Sequence, residues 1–386
     1  MNVSWQRANS RLISAEVRSP ELDLVEPWND LAARLETNAF MHPVALRAAT
    51  ETGFAKIYVL LAWDEKLTPR RPVGFWALRE RDDVPLMPTF LEALPYNYAF
   101  ASTAMIDGAC VDEVVGAFFD AVKRDVRLPK VISLRSFEID PIVHPAMLRC
   151  LASHGRYREL FRVERPFADH ARMVKKSGSA RKKFRQLSAA GAVTIVNERT
   201  PAGAEAAFEV FLNLEAASWK GKEGTALLCD ANDARFSRRF IQSLAACGLA
   251  SVALLCVDGD AIAAQVLLYS GQRSYTWKTA FKISFARFSP GLLLAEQATR
   301  SLMESGQITT VDSCSTPDGF MGQVLTGRRT FVDALIDVRP RNRLAFATGV
   351  AQHRSYDALR HIRILMRHAI KRLGAAMKAL PIAGKT

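Results

Sequence analysis

Few groups in this chain could build a metal centre or a disulfide framework. Its six cysteines, Cys110, Cys150, Cys229, Cys247, Cys256 and Cys314, show neither a CxxC pair nor Cys/His ligand spacing, so reduced thiols are expected. The seven histidines (His42, His144, His154, His170, His353, His361, His368) are scattered without an HExxH, which argues against a metal. GxGxxG, GxxxxGK(S/T) and GxSxG are all absent, leaving Rossmann, P-loop and hydrolase readings without a motif. No apolar run approaches the ~18 residues that span a bilayer, and Arg7, Arg11, Glu16 and Arg18 interrupt the start of the chain, where a secretory leader would need an apolar stretch. The expectation is a soluble, cytoplasmic protein.

Acidic residues are scarce in one region above all. From Arg339 to Thr386 there are eleven Lys/Arg against a single acid, Asp357, a local net charge of +10 out of +13 for the whole chain. A sequence pI near 9.7 therefore describes a tail rather than a basic body, and a nucleic-acid-binding core does not follow from it. Within the tail, Leu359, Ile362, Met366, Ile370, Leu373, Met377 and Leu380 fall on one helical face between 355 and 380, with Arg and Lys opposite. This spacing predicts a basic amphipathic helix, docked either on the protein's own body or on an anionic membrane surface.

What remains is ample for a core: 386 residues, of which 49% are hydrophobic and 24% charged, enough for two domains plus extensions. The first twenty residues read as a weakly structured leader ending at Pro20. Helical spacing follows at 28–35 and after Pro43, and strands at 57–63 and 73–78 pair as a hairpin. A helix at 112–124 and a buried strand at 131–134 complete the first half. A second hairpin, 251–257 and 261–269 across the turn 258–260, has the same form as the first. Around it lie a strand at 194–197, helices at 204–218 and at 234–246 with Asp233 as N-cap, a strand at 308–314, a short helix at 319–325 and a last strand at 330–336. The order predicts a mixed α/β sheet in two related lobes, 21–165 and 166–338, followed by the tail 339–386.

The most telling stretch is 275–306: a strand (275–281), then Phe285-Ala-Arg-Phe-Ser-Pro-Gly-Leu-Leu-Leu294, then an amphipathic run to Gly306. A Ser-Pro-Gly turn opening a helix just after a strand leaves backbone N–H groups and the positive end of the helix dipole facing the sheet edge, a place for an anion. The next strand carries Asp312 near its C-terminal end, where open α/β sheets place their ligands.

This element order resembles the GNAT acyltransferase superfamily, and within it the bacterial branch named for CelD proteins of cellulose biosynthesis and related to the Fem-type aminoacyltransferases. The resemblance is carried by Leu214-Glu-Ala-Ala-Ser-Trp-Lys-Gly-Lys-Glu-Gly-Thr-Ala226, by the segment 285–294, by Val311-Asp312, and by Trp28, Asn38-Ala-Phe40, Pro43 and Ala62-Trp63-Asp64. It implies two GNAT-like lobes, the first without a cofactor site, and acetyl-CoA as co-substrate with no metal. The pyrophosphate would lie at the helix-opening turn on Ser289, Gly291, Leu292 and Leu293. The usual Arg/Gln-x-x-Gly-x-Gly/Ala turn is present only as Arg287 and one glycine, and the Tyr-Lys element common downstream of the acidic position is missing. The Fem relatives imply aminoacyl-tRNA as the alternative donor, and a third alternative is a non-catalytic accessory of polysaccharide synthesis.

Acyl transfer needs a base, a polarised thioester oxygen and a proton for the leaving thiolate. Asp312 is the first candidate base, the other reading being a carboxylate paired with Lys278 or an arginine. Glu215, one turn before Trp219 and Lys220, places those three on one cleft edge, or makes an ordinary surface set. Tyr275 and Lys278 alternate along the strand before the cleft and can donate to the transferring group. Arg181-Lys-Lys-Phe-Arg185, after Ser179 as N-cap, forms a basic helix start suited to an acidic nucleotide or polysaccharide, or a merely solvated face. The expected acceptor is a saccharide or amine, with the basic tail bringing the protein to the inner membrane surface.

Overall fold

The structure is a computed structural model that describes residues 12–81, 89–172, 178–339 and 344–351. Among the described residues thirteen strands form one mixed sheet. In the N-terminal half they are β1 (Ile13–Arg18), β2 (Ile57–Asp64), β3 (Arg71–Arg81), β4 (Phe90–Glu92), β5 (Met105–Ile106), β6 (Val131–Glu138) and β7 (Arg156–Asp169). The C-terminal half supplies β8 (Val193–Glu198), β9 (Ala250–Val257), β10 (Asp260–Ser270), β11 (Arg273–Phe281), β12 (Thr310–Asp312) and β13 (Gly327–Asp337). Their spatial order is β1-β2-β3-β4-β6-β13-β7-β12-β11-β10-β9-β8, with β5 beside β3. The mixed α/β sheet expected from the sequence is present. Its two halves are stitched by the long β7/β13 ribbon, which pairs from Gly327 opposite Phe167 to Asp337 opposite Arg156. The lobe boundary expected at residue 165 falls inside β7.

Both expected hairpins are there. The second turns at Asp258 and Gly259, both with positive φ, as a tight two-residue turn requires. Strands β9 and β10 are apolar on both faces because helices cover both. On one face, α6 (Pro201–Ala216) and α8 (Ala231–Ala246) pack Phe208, Phe211, Leu212, Phe236 and Phe240 over Val252, Ala264 and Val266. On the other, α9 (Pro290–Glu304) and α5 (Gly178–Ser188) bring Leu294, Ala298 and Leu187 against Leu255 and Ala263. The N-terminal half adds α1 (Val25–Ala32), α2 (Pro43–Glu51), α3 (Val111–Arg124) and α4 (Val143–His154), and short helices α7 (Trp219–Lys222) and α10 (Met321–Val324) complete the set.

The halves share a core on the α6/α8 side of the sheet. Phe54 stacks on Phe236 with ring centroids 4.2 Å apart, Phe40 meets Tyr275 edge-on, and Tyr98 meets Trp277 in the same way. Each of these pairs joins residues far apart in the chain, so the N-terminal half roofs the strand β11 that the sequence marked as functional.

Three expectations need correction. The segment read as a weak leader contains β1, which pairs antiparallel with β2 from Ile13 opposite Asp64 to Arg18 opposite Val59. Asp233 is not the cap of α8: Asp230 is, its carboxylate accepting from the N–H groups of Asn232 and Asp233. Ser179 lies inside α5 rather than before it. Residues 344–351 are helical and set Phe346 and Val350 against Leu335; the amphipathic stretch 355–380 lies outside the described residues.

Candidate active site

Strand β11 runs parallel to β12 for only three pairs, Arg273 with Thr310, Ser274 with Val311 and Tyr275 with Asp312. It continues to Phe281 with β10 as its only described partner. Because β12 ends at Asp312, the edge of β11 beyond Tyr275 on that side has no strand partner among the described residues, and the sheet is open there.

The end of that edge meets the start of α9. A short 3-10 turn over Ile283–Phe288 leads into Ser289, a non-glycine residue in the left-handed region with φ 51°, and Pro290 opens the helix. The expected set of free N–H groups shrinks here: Leu292 and Leu293 both donate to the Ser289 carbonyl, at 3.0 and 3.1 Å, and Pro290 has no N–H. The Gly291 N–H makes no hydrogen bond among the described residues, and the residue is buried close against Thr279 and Phe281 at the end of β11. Lys183 of α5 donates from Nζ to Ser289 Oγ at 2.7 Å, and the Arg287 guanidinium lies over the Phe288 ring. A free N–H at a helix start with two cations nearby fits a phosphate group. Leu293 and Gly291 are buried and Leu292 half-buried, so only backbone and the neighbouring cations could meet such a group.

Of the residues named from the sequence, Glu215, Lys220 and Lys278 are brought together. Glu215, fully buried on α6, sets Oε1 2.8 Å from Lys220 Nζ and 3.7 Å from Lys278 Nζ, while Oε2 accepts the Leu227 N–H at 3.0 Å. Burial alone would raise its carboxyl pKa, but the two ammonium groups and the Leu227 N–H outweigh that and hold it below the usual carboxylate range. Burial pulls Lys278 down to about 8, although Glu215 acts in the other direction. Trp219, about half exposed, stands at the rim beside Lys220 on α7. That turn is tight: a Cβ on Gly221 would lie 1.8 Å from the Ala216 carbonyl oxygen.

Asp312 and Tyr275 form a separate, sealed group. Asp312 is 1% exposed, accepts the Cys314 N–H at 2.8 Å and lies 3.7 Å from Arg165. Arg165 in turn donates to the Phe100 carbonyl at 2.6 Å and lies flat on Phe331. Tyr275, fully buried, donates to the Thr37 carbonyl at 3.3 Å, and burial pushes its phenol upward. In this arrangement both side chains tie the two halves together rather than face an open cleft.

Sequence reasoning passed over Tyr98 and Arg165, read Asp233 only as a helix cap, and placed Lys183 in a basic cluster without connecting it to the α9 turn. Tyr98, from the N-terminal half, lays its ring 4.6 Å from Lys278 Nζ and donates its hydroxyl to Asp233; burial, then that bond, pushes its phenol upward. Its backbone carbonyl accepts from the Trp277 indole at 2.8 Å. The signal was the aromatic-dense Tyr96-Asn-Tyr98, which local pattern alone cannot connect to β11. Among the described residues no group of three or more His, Cys, Asp or Glu could hold a metal ion.

Comparison with known proteins bears on the fold that carries this site. Residues 175–320 match the model of the acetyltransferase (GNAT) domain family, described as "Acetyltransferase (GNAT) domain". No curated protein matches the chain by sequence. Among solved structures, FemX is 11% identical with a TM-score of 0.57, over 83% of this chain and 96% of that one. The C-terminal domain of a protein assigned as a lysylphosphatidylglycerol synthetase in Agrobacterium fabrum is 13% identical, TM-score 0.51, over 86% and 96%. L-PGS from Bacillus licheniformis is 13% identical, TM-score 0.50, over 87% and 97%. At these identities the likeness is one of fold. Residues 175–320, which hold the opened strand β11 and the start of α9, are thus similar to the acetyltransferase (GNAT) domain family, inside a fold that most of the chain shares with FemX.

Proposed function

We propose that the protein is an acyltransferase that moves an acyl group, acetyl in the simplest case, from acyl-CoA to an amine or hydroxyl of a sugar precursor or envelope polysaccharide. The observation that carries this reading is the edge of β11 left unpaired where β12 ends opposite Tyr275, with the Gly291 N–H, unbonded among the described residues, and Lys183 at the far end of that edge. A strand edge with unpaired backbone groups suits the amide-bearing arm of the donor, and the start of α9 its pyrophosphate. In this reading the C-terminal lobe (166–338) holds the donor, and the N-terminal lobe (21–165) closes the acceptor side without a cofactor of its own. Trp219 and Lys220 at the rim meet the acceptor, and Glu215 with Lys278 supply the chemistry. The basic segment beyond residue 339 would hold the protein, in the cytoplasm, against an anionic membrane surface.

A second reading, an aminoacyl group delivered on tRNA, is supported by α5. Its Arg181, Lys182 and Arg185 are exposed, the helix contains no acid, and its Lys183 reaches the α9 turn. Calorimetric titration of acetyl-CoA into the wild type and Gly291→Asp decides between them. Binding that the variant loses is the expected result, because a carboxylate at that turn repels a phosphate. No binding to either protein, with steeply salt-dependent binding of tRNA, would replace the first reading by the second.

A further inference from the structure

Lys278 owes its position to an irregularity in the sheet. Val266 of β10 faces Lys278 while the next residue, Leu267, faces Thr276, so Trp277 is an extra residue on β11. An extra residue shifts the alternation of side chains by one, and here it lets Lys278 join Trp277 on the α6 side. Trp277 there meets Phe208 and Phe240, and Lys278 meets Glu215 and the Tyr98 ring. The closer ammonium partner of Glu215 is Lys220, at 2.8 Å against 3.7 Å for Lys278. Lys278 is therefore the looser member of the group, with 12% of its side chain still open. A buried, loosely paired lysine is costly where an apolar residue would pack as well. It also lies on the stretch of β11 past Tyr275 where the sheet is open.

We propose that Lys278, held by Glu215 on α6 and covered by Tyr98 from the N-terminal half, is the general base of acyl transfer. This rests on the acyl-CoA reading given above. With an amine as acceptor, its nitrogen attacks the thioester carbon; a C–N bond forms and the C–S bond breaks. The proton released by the nitrogen passes to the neutral Lys278 Nζ, and the resulting ammonium protonates the departing thiolate. Amine and thioester become amide and thiol, and Lys278 ends as it began. The groups around Nζ set its proton affinity: burial and the Lys220 ammonium lower it, Glu215 and Asp233 raise it, and the outcome is about 8. At pH 7.5 about a quarter of such a lysine is neutral, against about one part in a thousand for an ordinary lysine.

The test uses the full chain and p-nitrophenyl acetate, with acetylation at Lys278 followed by mass spectrometry from pH 6 to 11 and exposed Lys182 as internal standard. Labelling of Lys278 should be half-maximal near pH 8, with a neutral fraction about 200-fold above that of an ordinary lysine at pH 7.5. Glu215→Gln should move the half-maximum down and Lys220→Gln should move it up. A half-maximum near pH 10, or no labelling at all, overturns the proposal, since a group that a small ester cannot reach cannot take a proton from an acceptor. Calorimetry with acetyl-CoA on the same preparations separates the two levels. Binding without this labelling pattern removes Lys278 as base and leaves the acyl-CoA reading standing; no binding removes both.

Discussion

Removing the Glu215 carboxylate is the sharpest perturbation of the candidate site, because the structure fixes how much it can cost. Glu215 is fully buried, balances two ammonium groups and accepts one backbone N–H. Breaking a buried ion pair commonly costs about 3–5 kcal/mol, through the stranded partner. Here each partner has an escape. Lys220, a quarter exposed, can turn to water. Lys278, at about 8, can give up its proton at pH 7 for about 1.4 kcal/mol at most. Glu215→Gln, whose amide oxygen can still accept from Leu227, should therefore lose only about 1–2 kcal/mol. Glu215→Ala also strands the Leu227 N–H, worth about 1–3 kcal/mol, and should lose about 3–4 kcal/mol. Above pH 8 the wild-type lysine is itself becoming neutral, so the Gln penalty should shrink between pH 7 and pH 9. Urea unfolding of the three proteins at both pH values measures this. Equal stability of wild type, Gln and Ala variants at pH 7 would show that the buried cluster does not exist as described.

Three further outcomes follow from particular contacts. Gly221→Ala drives a methyl into the Ala216 carbonyl and should cost about 3 kcal/mol or more, read by thermal unfolding; a neutral result would mean that the turn holding Lys220 is drawn wrongly. Asp312→Ala strands the buried Arg165 and the Cys314 N–H and should cost about 3 kcal/mol while leaving acetyl-CoA affinity within about threefold, checked by calorimetry beside urea unfolding. Buried His42, pushed down to about 4 by desolvation, accepts the Val44 N–H to cap α2. Its folded-state pKa lies below its unfolded value of about 6.5, so the unfolded chain binds the extra proton first. Its contribution is complete above pH 6.5 and fades as pH falls toward 4, by up to about 3 kcal/mol. His42→Asn should flatten that part of the stability curve, and an unchanged acid limb would contradict the assignment.

The C-terminal half was legible because its signals are local. Alternation and the Asp258-Gly259 turn mark β9 and β10, and Ser-Pro-Gly marks the start of α9. Strand β7 was passed over: its many Arg and Glu residues look like a solvated loop, and it is a strand because β13 returns from far along the chain to pair with it. The candidate site residues divided on the same principle. The grouping of Glu215 with Lys220 follows from helical spacing, but a period-two reading of β11 cannot put Trp277 and Lys278 on one side, because the bulge exists only in register with β10. Tyr98 comes to Lys278 across 180 residues of sequence, nearly half the chain, and the arginine that the alternative reading of Asp312 called for is Arg165, on the unread strand.

The central claim is that the donor lies along the free edge of β11 and ends at the first turn of α9. Hydrogen–deuterium exchange with and without saturating acetyl-CoA tests it most directly. The prediction is slowed exchange at residues 276–281 and 289–293, with the hairpin of β2 and β3 unchanged. Protection confined to the N-terminal half, or none at 289–293 under conditions where binding is measured, would contradict it.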